Sequence, residues 1–186
     1  MASHRVCPWW LGYFLVSPLR RLVEDPEKIV GPYVSEGMTV LEPGPGMGFF
    51  TLEMARRVGS SGRIIAVDLQ PRMIASLKRR AARAGVLERI DARVAEPGSL
   101  KLDGMDGSVD FALAFAVVHE LPDVAAFFAE VARALKPGAN ALVAEPAGHV
   151  TPEDFETELQ TATRAGLHPV SRPTIRRSHG AVLQKT

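Results

Sequence analysis

The sequence predicts an α/β chain built on a doubly wound, mainly parallel sheet. Three observations predict it. Residues 39–52 read TVLEPGPGMGFFTL, a short apolar strand, a glycine-rich turn and the start of a helical pattern. That order opens a nucleotide-binding α/β unit. Residues 63–68, RIIAVD, form a second apolar strand that also ends in an acid. From there to the C-terminus strand-like runs alternate with helical periodicity, the pattern of parallel strands joined by crossover helices.

Composition bounds the rest. The chain has 186 residues, is 46% apolar and carries a formal charge of +1. That length suits one domain with a substantial core. The balanced charge argues against a dedicated nucleic-acid surface. A single cysteine, Cys7, rules out an internal disulfide and an iron–sulfur cluster of three cysteines, and it fits a cytoplasmic setting. No apolar run approaches the roughly 20 residues of a membrane span. The opening stretch lacks a clear leader cleavage site and reads as part of the mature protein.

Residues 1–25 read as a segment apart from the main domain, 26–186, within one overall domain. The first part concentrates Trp9, Trp10, Tyr13 and Phe14. Such rings either cover the outside of a sheet or build a lid over a ligand cleft. His4 and Cys7 do not make a metal site by themselves, and no metal is expected.

Each later element has its own signals. Pro26 suits a helix start within 18–34, and Gly37 closes that stretch. The first strand follows, ending at Glu42. The helix over 49–58 is stopped by Gly59. The second strand is followed by Leu69 and a helix over 70–84, with Met73, Ile74 and Leu77 inward and Arg72, Lys78, Arg79, Arg80 and Arg83 outward. A weakly patterned strand over 90–95 precedes Glu96. The run VDFALAFAVV, 109–118, suits a strand buried on both faces, ending at His119 and Glu120. Asp123 caps a helix to 136, and a fifth strand over 139–144 ends at Glu145. Thr151, Pro152 and Asp154 start a helix to about 165. Two last strands occupy 167–171 and 181–184.

The glycine turn carries the chemistry. Gly44, Gly46 and Gly48 alternate, whereas a dinucleotide fingerprint needs its third glycine where Phe49 stands. Pro45 also withholds an N–H from a pyrophosphate. The motif EPGPGMG with AVD at 66–68 and VDFALAFAVVHELPD through VARALKPGA at 109–139 resembles the class I S-adenosylmethionine (SAM) methyltransferases. The likeness is greatest to the small-molecule, quinone-biosynthesis-like group and runs from about residue 26 to the end.

This resemblance implies a Rossmann-like fold of seven strands in the order 3-2-1-4-5-7-6, the last one antiparallel. It implies SAM as cofactor, bound by Glu42, Gly44, Gly46, Gly48, Asp68, Leu69 and Glu96. Asp68 would hold the ribose; Glu96 stands where the family often has Asp. His119 is the candidate base, since its unperturbed pKa is near 6.5, with Glu120 to orient it or bind acceptor. Trp9, Trp10, Tyr13, Glu145 and His149 are candidate acceptor contacts. The expected reaction is in-line methyl transfer to a small, partly apolar acceptor. A non-catalytic SAM-fold module and an NAD-dependent oxidoreductase are the alternatives; the glycine spacing and Glu42 oppose the second.

Overall fold

The computed structural model describes residues 24–186. The expectations for Trp9, Trp10, Tyr13, Phe14, His4 and Cys7 lie outside the described residues. Seven strands form one sheet in the order β3-β2-β1-β4-β5-β7-β6. By internal packing the described chain divides into two compact units, residues 24–95 and 96–186.

In the first unit, α1 (Pro26–Val30) starts at Asp25, whose carboxylate accepts the Glu27 N–H. β1 (Thr39–Pro43), β2 (Arg63–Asp68) and β3 (Ile90–Val94) pair in parallel. Val40, Leu41, Ile64, Ile65 and Ala66 are fully buried, as strands covered on both faces require. The covering helices are α2 (Thr51–Arg57) and α3 (Pro71–Arg83). Met54, Ala55, Leu77 and Ala81 are sealed from solvent.

In the second unit, β4 (Val109–Phe115) pairs in parallel with β5 (Leu135–Pro146). β7 (Ser178–Lys185) runs antiparallel to both β5 and β6 (Leu167–Ser171). α4 (Val124–Ala134) starts where Asp123 accepts the Ala126 N–H. α5 (Pro152–Arg164) starts where Thr151 accepts the Asp154 N–H and donates to the Asp154 carboxylate. Both caps satisfy helix donors that would otherwise lack partners. Among the described residues, no helix is long and apolar enough to cross a membrane.

Three boundaries differ from expectation. β4 stops at Phe115 rather than running to 118, because Ala116 takes a left-handed conformation, φ 55°. His119 therefore lies in a short 3-10 turn, Val118–Glu120, and not at a strand end. β5 begins at Leu135, directly after α4, and not at 139. Leu135 pairs with Val109, the register then slips, and Phe111 pairs with Asn140. The intervening Lys-Pro-Gly bulges outward, while burial of Leu135 draws the strand's start back. β7 starts three residues earlier than the apolar pattern suggests, since His179 and Gly180 pair with Glu145 and Ala144.

Candidate active site

The first group of site residues belongs to residues 24–95. Glu42 is buried near the end of β1. Asp68 ends β2 and is nearly buried. One of its carboxylate oxygens accepts the Gln70 N–H at 2.8 Å and the other the Gly46 N–H at 3.1 Å. The acid thus ties the glycine turn to the end of the neighbouring strand. Burial pushes its carboxyl above the ordinary range, against the pull of the two N–H donors. Leu69, next in line, is exposed.

The glycines, alike in sequence, play different parts. Gly48 has φ 87°, and a Cβ there would lie 2.4 Å from Leu77 Cδ1. It lets α3 pack against the turn. Gly46 has φ 54°, but a Cβ there would meet nothing within 4 Å. The room beside Gly46 is a cradle that a side chain would fill, so the turn fits a ligand lying against its backbone. Gly46→Val should therefore fold, at a backbone cost of about 1–2 kcal/mol, and lose SAM binding by calorimetry. Gly48→Val should instead lower the melting temperature, because Leu77 has to move.

Arg80 corrects the sequence reading. It does not simply face solvent with the other basic residues of α3; its guanidinium donates to the Met47 carbonyl inside the glycine turn. It is a positioning residue for the turn that sequence reasoning missed, since a helical wheel cannot show a contact 33 positions away. Arg80→Met should weaken SAM binding several-fold while sparing the core, about one charge-assisted hydrogen bond's worth. Equal calorimetric affinity in the variant would remove Arg80 from the site.

The second group belongs to residues 96–186. Ala116 reverses the chain after β4, so that the Val117 and Val118 N–H groups converge on one oxygen of Glu145, at 3.1 and 2.8 Å. Successive N–H groups aimed at one anion form a backbone nest. The left-handed Ala116 costs about 1–2 kcal/mol, a strain of the kind concentrated at functional sites. Glu145 is fully buried, and its other oxygen meets His119 Nδ1. Nδ1 therefore carries the hydrogen toward the carboxylate, which leaves Nε2 as the acceptor nitrogen in the neutral ring. Nε2 lies 4.0 Å from Glu120 Oε1, beyond hydrogen-bond reach. The Glu145 contact raises the imidazole's pKa above its ordinary value. His149 is exposed and stacks on His119, ring centres 5.8 Å apart and planes 13° from parallel.

The structure thus brings His119, Glu145 and His149 together with Glu120 beside them. Glu96 is placed differently: it sits in an exposed turn closed against Ser99, its carboxylate 2.5 Å from Lys101 Nζ. One further acid joins the second group. Glu158 on α5 is half-buried, and burial first, then the Glu145 charge, pushes its carboxyl up to about 8. The sequence reading did not single out this residue.

These shifts carry a sign. Folded Glu158 binds its proton more tightly than the unfolded chain does, so stability falls as pH rises from about 4.5 to about 8. His119, also raised, adds a loss as pH passes through its folded value. Thermal melts across this range should show a declining transition, and Glu158→Gln should flatten it. Among the described residues, no group of three His, Cys, Asp or Glu is placed to hold a metal ion.

The chain is similar to known proteins in sequence and in fold. A family model described as a methyltransferase domain matches residues 40–138. An arsenite methyltransferase of Halobacterium salinarum is 31% identical over 112 residues, 60% of this chain and 28% of that protein. The chain spans under a third of the length of the curated relatives it matches. A SAM-dependent methyltransferase from Aquifex aeolicus superposes with a TM-score of 0.87 at 24% identity, over 97% of this chain and 100% of that one. A SAM-dependent O-methyltransferase from Thermotoga maritima gives 0.69 at 19% identity, over 87% and 64%. With the family match covering more than half of its length and the sheet order in hand, the chain belongs to the class I SAM-dependent methyltransferases.

Proposed function

We propose that this methyltransferase acts on a small, partly apolar acceptor whose methylated atom is an oxygen or nitrogen bearing a proton. The observation that carries this reading is the buried Glu145 holding His119 Nδ1. A ring fixed in that tautomer presents Nε2 as a base. Such a base is of use only where the acceptor must lose a proton.

The cofactor roles follow the first group. Asp68 would accept the ribose hydroxyls, the glycine turn at Gly44, Gly46 and Gly48 would lie against the ligand, and Glu42 would stand at the strand end beside it. Leu69 would cover the adenine side. When bound, SAM supplies an electrophilic methyl group on a sulfonium. His119 Nε2 would take the acceptor's proton as the acceptor atom gains the methyl group. Glu145, against Nδ1, would stabilise the imidazolium, and the proton would then leave Nε2 for water. Alignment of the two reacting atoms contributes several kcal/mol; general-base catalysis adds roughly 10²–10⁴-fold.

The Halobacterium relative is named for arsenite. Soft acceptors of that kind are held by thiolates, and this chain has the one cysteine, Cys7. That favours oxygen or nitrogen. Calorimetry with SAM, S-adenosylhomocysteine and NAD comes first; binding of NAD alone would reject the cofactor assignment. A panel of phenols, enols, amines, thiols and arsenite, scored by S-adenosylhomocysteine release, then tests the acceptor class. Turnover confined to thiols or arsenite would overturn it.

A further inference from the structure

Two acids stand against opposite ends of one imidazole. Glu145 meets Nδ1 and fixes the ring. Glu120 Oε1 lies 4.0 Å from Nε2, the nitrogen from which the proposed base acts. The His119 and Glu120 side chains are 22% and 23% exposed, so a ligand can reach both. They are neighbours in the 3-10 turn Val118–Glu120, where the Glu120 N–H donates to the Val117 carbonyl. His149 stacks on the imidazole, which leaves the ring's edge as the approach to the Nε2 lone pair.

Two acceptors at that spacing select a donor by its hydrogens. A polar atom about 2.9 Å from each, an ordinary hydrogen-bond length, would see Nε2 and Oε1 about 90° apart. The N–H bonds of a tetrahedral nitrogen diverge by a little more than that, so both hydrogen bonds can form with slight bending. A hydroxyl has one hydrogen and meets one of the two acceptors; its oxygen is then left facing the other. Charge favours the same donor. Glu145 and Glu120 flank a ring that is neutral when it serves as a base. Opposite charges at about 4 Å attract even in a partly solvated setting.

We propose that Glu120 sets the acceptor specificity, and that the acceptor is a primary or secondary amine. It binds as its ammonium cation, with one N–H on His119 Nε2 and a second on Glu120 Oε1. The first of these protons passes to Nε2, and the electron pair of that N–H bond stays on nitrogen as the lone pair a methyl acceptor needs. The second N–H remains on the carboxylate and holds the nitrogen in place. A tertiary amine, with one N–H when protonated, and a hydroxyl compound each meet half of this arrangement. The inference rests on the reading of His119 as base, and narrows its oxygen-or-nitrogen acceptor to nitrogen.

The experiment is an NMR titration of the full chain that follows the His119 ring nitrogens and the Glu120 carboxyl carbon. Benzylamine, benzyltrimethylammonium and benzyl alcohol are added in turn at about pH 8, where the amine is a cation. The three share one apolar body and differ in charge and in the hydrogens they can donate. Benzylamine should shift both signals along one saturation curve. The other two should bind about tenfold more weakly or worse, the loss of one charge-assisted hydrogen bond. Glu120→Gln, of equal size, should bring benzylamine down to the affinity of the alcohol, a change of preference that a merely structural residue would not produce. No response to benzylamine, equal binding of all three probes, or an unchanged benzylamine affinity in Glu120→Gln would each overturn the proposal. In the turnover panel, phenols or enols methylated with amines inert would also overturn it and leave the base reading standing. Amine turnover that survives His119→Ala would instead overturn the base reading and the proton step with it, while the contact to Glu120 is judged by the titration alone.

Discussion

Replacing Asp68 by alanine is expected to weaken SAM binding by 100-fold or more. In the cofactor role proposed above the carboxylate would accept two ribose hydroxyls, and hydrogen bonds to a charged acceptor contribute about 1.5–3 kcal/mol each. Two of them at the lower end already exceed two powers of ten in the dissociation constant. The loss has a second source in the structure. Asp68 also accepts the Gly46 and Gln70 N–H groups, so the variant loosens the glycine turn itself. A drop of several degrees in the melting temperature should accompany the binding defect. Asp68→Asn removes the charge but keeps one acceptor oxygen for the Gly46 N–H, at the expense of the Gln70 N–H, which would face the amide nitrogen. Binding should also weaken in acid as Asp68 takes up its proton, which burial makes easier than usual. Calorimetry at pH 7 decides the matter: an affinity within threefold of wild type in Asp68→Ala would remove the residue from the cofactor site.

Glu145→Gln is expected to cost about 10²–10⁴-fold in turnover while leaving SAM affinity near its wild-type value. The glutamine oxygen can still accept the Val117 and Val118 N–H groups, so the turn after Ala116 keeps its support. The amide nitrogen, however, would face Nδ1 and donate to it. The ring then carries its hydrogen on Nε2 and cannot act as a base there, and a wrong tautomer in a carboxylate–histidine pair costs about four powers of ten in a well-studied hydrolase. His119→Ala sets the floor, and Glu145→Gln should approach it. Glu145→Ala is a different experiment. It strands the buried Val118 N–H, at about 1–3 kcal/mol, and the part-buried Val117 N–H, and should unfold at a visibly lower temperature. Equal losses of turnover and SAM affinity in Glu145→Gln would mean that the pair shapes the fold and not the reaction.

Much of this protein was legible in its residues. Local chemistry is decisive at helix starts: Asp123 and Thr151, read as caps, each supply an oxygen to a first-turn N–H of the helix. Continuous apolar runs marked β1, β2 and β4, because a strand covered on both faces has no polar side to show. The glycine spacing argued against a dinucleotide turn, and the acid ending the second strand, Asp68, was legible beside it. What periodicity could not show was where an apolar run stops being a strand. Residues 109–118 are apolar throughout, and only the left-handed Ala116 ends β4 at Phe115.

The tertiary structure decided which side chains meet. Glu145 was legible as a strand-end acid, but nothing local shows that it lies against His119, 26 positions earlier. Arg80 reads as one basic residue among several until its guanidinium is found on the Met47 carbonyl. Gly46 and Gly48 look equivalent until Leu77 is seen to fill the space at one and nothing at the other. Glu158 shows the limit most plainly. Its helix position is that of an ordinary half-exposed acid, and its perturbed proton comes from burial and from a charge on another strand. Backbone conformation is set by a few adjacent residues and can be read from them. Electrostatic coupling depends on distance through space, which the order of residues does not contain.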